Sequence, residues 1–140
     1  MAQQPLLRVV NMPGNEPPFV KQILIVDDDI SIRHMLGRVL LGEGYGVVAA
    51  ADGLAALQII EHNEVDLVLL DLKMPGMSGR ETLRVLKERR PEIPVIVISA
   101  FSRQEFDSAA EVNAVLQKPL DFPTLLDTIK RNLAHSVAQG

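Results

Sequence analysis

The chain of 140 residues contains no cysteine. That absence excludes disulfides, thiolate metal centres and cysteine nucleophiles. It also has no excess of positive charge: 14 Lys and Arg stand against 18 Asp and Glu, a net charge of −4. There is accordingly no electrostatic reason to expect nucleic acid as a partner. No apolar run approaches the length of a membrane span. The beginning of the sequence does not read as a signal peptide either, because Arg8, Asn11, Pro13 and Gly14 break up the one apolar stretch there. A cytoplasmic protein that does not touch the membrane is expected.

What is present suffices for one folded unit. Apolar residues make up 47% of the chain, too many for a disordered protein. Residues 1–20 hold four of the nine prolines (Pro5, Pro13, Pro17, Pro18) and Gly14 without a sustained period. They read as a flexible leader, with a short strand suggested over residues 6–10. From Lys21 on, short apolar runs alternate with helical patterns. Residues 23–26, 67–70 and 95–98 are continuously apolar and rich in branched side chains, as strands covered on both faces must be. Residues 46–50 and 114–117 are weaker and suit sheet edges.

The segments between them have helical spacing. Ile32, Met35, Leu36, Val39 and Leu40 form one apolar stripe, and Leu126, Ile129 and Leu133 another. Asp29, Asp52 and Asp121 stand where N-caps are expected. Ser78-Gly79-Arg80-Glu81 and Ser102-Arg103-Gln104-Glu105 have capping-box form, so helices should begin after Ser78 and Ser102. Five β-α pairs with no internal repeat imply an α/β fold: a parallel sheet with helices on both faces and right-handed crossovers.

On that frame Asp27 and Asp28 end the first strand, Asp71 the third, Ser99 the fourth and Lys118 the fifth. Functional crevices of open α/β sheets lie at the carboxyl ends of the strands. Each residue alone is ordinary. A strand-ending Asp can cap the next helix, and Ser99 or Lys118 can simply be solvated. Together they are not. Carboxylates 4–5 Å apart repel by about 3–4 kcal/mol per pair at an effective dielectric near 20. A bound Mg²⁺ resolves that conflict, since it takes hard oxygen ligands and a phosphate alongside one or two carboxylates.

Ile25-Val26-Asp27-Asp28-Asp29, Leu70-Asp71-Leu72-Lys73-Met74-Pro75-Gly76-Met77-Ser78-Gly79, Val97-Ile98-Ser99-Ala100 and Lys118-Pro119 occur in this order. In these motifs the chain resembles the response-regulator receiver domain of two-component signalling, over about residues 21–134. The resemblance implies a flavodoxin-like doubly wound sheet of five strands in the order 2-1-3-4-5. It implies Asp71 as the acceptor of a phosphoryl group from the phosphohistidine of a sensor histidine kinase or phosphotransfer protein. Asp28 and Asp71 would hold Mg²⁺ with the backbone carbonyl of Lys73, and Asp27 would contribute through bound water. Ser99 would bond one phosphoryl oxygen and Lys118 neutralise another, aimed by a cis Lys118–Pro119 peptide. Phosphoryl transfer asks for this: in-line positioning and charge compensation, and little else.

Two departures from the family stand out. Val115 occupies the position where an aromatic ring usually rotates, and the stretch from Ser99 to Lys118 is short. A fourth helix fits only over about residues 103–112, with Asn113 in the left-handed cap position where the family often has Gly. With no ring at 115, transmission is expected through residues 100–113, with Phe101 as the moving apolar group. A resemblance to haloacid-dehalogenase phosphatases is the alternative. There Asp27 would be the nucleophile and Asp29 the general acid, but no later acidic strand end completes that set. A receiver lacking phosphoryl transfer is a third reading, opposed by the complete acidic set. His34, His62 and His135 lack ligand spacing and read as helix-surface residues. Lys87-Glu88-Arg89-Arg90 reads as the basic end of the third helix, facing its dipole. Met74 and Met77 are expected to shield the site. Few residues follow the last helix, so no DNA-binding domain is expected within this sequence. Output would then pass to a downstream protein, from a receiver at 21–134 with a tail at 135–140.

Overall fold

The computed structural model of the protein describes residues 20–72, 79–100 and 112–139, with side chains to residue 134. Its elements, in chain order, are β1 (Gln22–Val26), α1 (Ile30–Gly42), β2 (Gly46–Ala50), α2 (Gly53–His62), β3 (Leu67–Asp71), α3 (Gly79–Arg89), β4 (Val95–Ser99), β5 (Ala114–Gln117) and α4 (Phe122–Gln139). All strand pairs are parallel, in the order β2-β1-β3-β4-β5. This is the doubly wound order expected, with the two weaker apolar runs at the edges. The expected fourth helix, Phe101, and the suggested strand over residues 6–10 lie outside the described residues.

The alternation of each central strand divides its side chains between two helical layers. Leu24, Val26, Val68, Leu70, Val95 and Val97 pack with Ala56, Leu57 and Ile60 of α2 and Leu83 and Leu86 of α3. Ile23, Ile25, Leu67, Leu69, Ile96 and Ile98 pack with Leu36 and Leu40 of α1 and Leu125, Ile129 and Leu133 of α4. Each such fully buried aliphatic side chain contributes about 1.5–3 kcal/mol relative to exposure. β3 and β4 are buried at every position, which is why they read as unbroken apolar runs.

Two helical stripes differ from expectation. In α1 the buried positions are Leu36 and Leu40, whereas Met35 is exposed. In α4 Leu125 is the buried partner of Ile129 and Leu133, and Leu126 lies partly buried beside them. The i, i+4, i+8 row faces the sheet, and the i+1 neighbour falls on its flank. α4 also continues to Gln139, into the stretch expected as a tail.

The caps hold α1, α2 and α4 as the sequence indicates. Asp29 accepts from the Ser31 N–H at 2.8 Å, Asp52 from Ala55 at 2.8 Å and Asp121 from Thr124 at 3.0 Å. α1 ends in a Schellman motif. Tyr45 N–H donates to the Leu40 carbonyl and Gly44 N–H to that of Leu41, both at 3.1 Å, with Gly44 at φ 94°. Ser78 lies outside the described residues, but α3 begins at Gly79, directly after it.

Candidate functional site

The carboxyl edge of the sheet gathers the predicted residues. Asp27 extends the β1–β2 ladder by one bond, its N–H donating to the Ala50 carbonyl at 3.1 Å. Its Oδ1 accepts from the Asp29 N–H at 2.9 Å, and its own carbonyl accepts from the Arg33 guanidinium at 2.8 Å. The turn from β1 into α1 is thereby tied at three points. The tie leaves Asp28 exposed at the edge and Asp27 buried.

Asp71 ends β3 and is 4% exposed; Ser99 ends β4 and is 2% exposed. One carboxylate oxygen from each of Asp27, Asp28 and Asp71 lies within 4.8 Å of the others. Lys118 follows β5, with its N–H donating to the Ser99 carbonyl at 2.9 Å. Its ammonium stands 3.8 Å from Asp71 Oδ1, an electrostatic contact too long for a hydrogen bond. The Lys118–Pro119 bond is cis, in agreement with the family resemblance.

Burial is the main force that pushes the Asp27 carboxyl above its ordinary value. The Asp29 N–H and Lys118 oppose that shift, while Asp71 and Asp28 add to it. Three hard-oxygen donors in mutual repulsion, one of them already resisting ionisation, form a set that a small divalent cation would complete. The residues present fit Mg²⁺. Lys73, Met74 and Met77 lie outside the described residues.

Sequence reasoning missed two supports of this edge. One is Arg33, whose approach to the Asp27 carbonyl depends on the turn geometry between β1 and α1. The other is Gly79, the first residue of α3, whose N–H donates to the Leu72 carbonyl at 3.2 Å. A Cβ there would stand 2.3 Å from Leu72 Cα and 2.6 Å from its oxygen. Only glycine lets α3 start so close to the residue that follows Asp71. Among the other candidates, His34 and His62 are exposed on α1 and α2; His135 lies in α4 beyond the described side chains. Val115 is half-buried against the α2 and α3 layer.

Comparison with known proteins identifies the family. Residues 23–130 match the response regulator receiver domain family. The chain belongs to that family. Among relatives of this receiver, sporulation initiation phosphotransferase F of Bacillus subtilis is 40% identical over 116 residues, 81% of this chain and 94% of that protein. The transcriptional regulatory protein ZraR of Klebsiella oxytoca is 42% identical over 117 residues, but the match spans only 26% of its length. The receiver thus corresponds to about a quarter of that larger regulator. A CheY-like receiver from Methanospirillum hungatei superposes with a TM-score of 0.82 at 34% identity, covering 87% of this chain and all of that one. The response regulator TrrA of Thermotoga maritima, in complex with Mg(2+)-BeF, gives 0.75 at 32% identity, covering 81% and 99%.

These relationships leave the haloacid-dehalogenase alternative without support, and the site gives the physical reason. The Asp29 carboxylate is taken up as the cap of α1, bonded to two N–H groups of its first turn, so it is not placed as a general acid. No helix among the described residues is long and apolar enough to cross a membrane.

Proposed function

We propose that this receiver accepts a phosphoryl group on Asp71 from the phosphohistidine of a sensor histidine kinase or phosphotransfer protein. The observation that carries the reading is the meeting of Asp27, Asp28 and Asp71 within 4.8 Å, with Lys118 at 3.8 Å from Asp71 on the same edge. An Asp71 carboxylate oxygen forms the new O–P bond while the P–N bond to the donor imidazole breaks, and the imidazole keeps the electron pair. Lys118 is close enough to neutralise charge on one phosphoryl oxygen, and the Ser99 hydroxyl bonds another. Asp27, Asp28 and Asp71, with the Lys73 carbonyl, would hold Mg²⁺. When bound, the metal supplies the positive charge that offsets both the carboxylates and the incoming phosphoryl oxygens. The TrrA response regulator, in complex with Mg(2+)-BeF, supports this choice of metal.

The protein would act only on itself, catalysing its own phosphorylation and dephosphorylation, and pass the signal to a downstream protein or onward in a relay. The name and coverage of the Bacillus phosphotransferase support the relay. The switch unit is the receiver from residue 21 to the end of α4, with 1–20 as a leader. A receiver supplied by such a kinase would work in the cytoplasm.

Incubation with acetyl phosphate and Mg²⁺ should add one phosphoryl group at Asp71, read by intact mass and peptide mapping. Asp71→Asn should abolish the label with an unchanged circular dichroism spectrum. A label of equal yield on the variant, or one mapped to Asp27, overturns the assignment.

A further inference from the structure

β5 delivers Lys118, yet little in its own sequence pins it. The strand has four residues and, among the described residues, β4 as its one neighbour. Ala114 and Leu116 pack against the α1 and α4 layer and Val115 against the opposite one, all half-buried. Register is strongly specified where a slip would exchange buried apolar side chains for polar ones. A one-residue slip keeps two of these three half-buried positions apolar and brings only Gln117 or Asn113 into the third, so packing discriminates only in part.

The polar contacts at the start of the strand discriminate sharply. Asn113 N–H donates to the Val95 carbonyl at 2.9 Å. Its side-chain Oδ1 accepts the Val95 N–H, also at 2.9 Å, closing a ring between the two residues. The same Oδ1 receives Lys87 Nζ from the last turn of α3 at 3.1 Å. Val95 is 1% exposed, so its N–H would lose this acceptor in any other register. Lys87 is half-buried and its desolvation pushes the ammonium pKa down, which makes an oxygen partner worth more to it. Three elements therefore meet on one amide oxygen.

Lys118 lies five residues further along. A slip of one residue would carry it about 3.3 Å along the strand. Its ammonium is 3.8 Å from Asp71, and its N–H is bonded to the Ser99 carbonyl. Neither contact survives such a shift.

We propose that Asn113, held by Lys87, is a positioning residue that locks β5 in register on β4 and so sets Lys118 against Asp71. The proposal rests on the role given to Lys118 above. The test uses the whole chain and separates the two.

Amide exchange and cross-strand nuclear Overhauser contacts read the register; acetyl-phosphate labelling rates read its consequence. Asn113→Ala should exchange the Val95 amide at least about ten-fold faster, the effect of losing about 1.4 kcal/mol of part-buried hydrogen bonding. It should weaken the Ile98–Leu116 cross-strand contacts. It should slow labelling several-fold in the chain that has Lys118 and leave the rate unchanged in a Lys118→Ala background, with Mg²⁺ affinity unaltered in both. Lys87→Met keeps the Val95 bond, should fold if Asn113→Ala does not, and should show the same pattern at about two- to five-fold. Unchanged exchange and cross-strand contacts in both variants overturn the proposal. An equal slowing in both Lys118 backgrounds also overturns it, since Asn113 would then act through general stability. If Lys118→Ala alone labels at the wild-type rate, the role of Lys118 fails and the clasp loses its purpose. That failure shows in the single variant, apart from the register readouts.

Discussion

At the amino edge of the sheet, strand ends finish on partners. The Gln22 N–H reaches Asp66 Oδ2 and the Asp66 N–H returns to the Gln22 carbonyl, each at 2.8 Å. Asn113 closes on Val95, and Arg90 joins the Ile60 carbonyl to the Glu92 carboxylate. At the carboxyl edge, Asp27, Asp28 and Asp71 crowd together, with Lys118 at 3.8 Å from Asp71 and Arg33 on the Asp27 carbonyl. The first edge pairs donors with acceptors, while the second collects charges of one sign. A structure gains stability from the former arrangement and loses it through the latter. The fold tolerates the loss because it falls at the ends of β1 and β3, paired central strands whose burial offsets it. One atom departs from the contrast: Gln22 Oε1, against Gly46, is buried without a hydrogen-bond partner among the described residues.

The contrast can be broken from either side, and the largest effect is expected at the carboxyl edge. Asp28→Ala should remove the response of thermal stability to Mg²⁺. In the wild type, a metal concentration of 100 Kd should raise stability by about 2.7 kcal/mol. Without metal the same variant should be as stable as the wild type or more so, because one like charge is gone. Unfolding scans with chelator and with Mg²⁺ read both halves; a wild-type Mg²⁺ response in the variant refutes Asp28 as a ligand.

At the opposite edge, Asp66→Ala should cost about 1–2 kcal/mol, the loss of an acceptor from the partly buried Gln22 N–H. Acetyl-phosphate labelling should proceed at the wild-type rate. Urea midpoints and labelling measured on one sample check the pair of statements. A variant with slowed labelling would show that the two edges are coupled.

The smallest effect sharpens the contrast through pH. The Asp27 carboxyl is raised in the fold, chiefly by burial, so the folded state binds its proton more tightly than the unfolded chain does. The contribution of Asp27 to stability is therefore fully present below its unfolded value near 3.8 and is lost as pH rises through the higher folded value. Asp27→Asn retains an oxygen for the Asp29 N–H but cannot ionise. Relative to wild type, the metal-free variant should be more stable at neutral pH by about 1 kcal/mol or less, and the advantage should vanish toward pH 3.8. Chemical denaturation with chelator across that range measures it; an advantage that grows on acidification gives the wrong sign.

Much of this protein is legible in its amino-acid order, because the signals involved are local. Continuous branched runs can be buried only on both faces, so residues 67–70 and 95–98 announce central strands. An Asp before a helix finds an N–H two or three residues ahead, so Asp29, Asp52 and Asp121 are legible as caps. Acidic residues at the ends of strands 1 and 3 must share an edge once the sheet is parallel. Tertiary structure alone decided what depends on residues far apart meeting in one geometry. Helical spacing cannot rank neighbouring apolar residues; contact with the sheet chose Leu125 over Leu126 and left Met35 outside. Gly79 reads only as the first residue after the Ser78 cap until α3 is laid against Leu72, where no Cβ fits. Asn113 reads as a helix cap until β5 is brought beside β4, where its amide oxygen meets an N–H 18 residues away and an ammonium 26 residues away. The periodicity of a chain is carried by each segment alone. The partner of a buried polar atom exists only after the segments have packed.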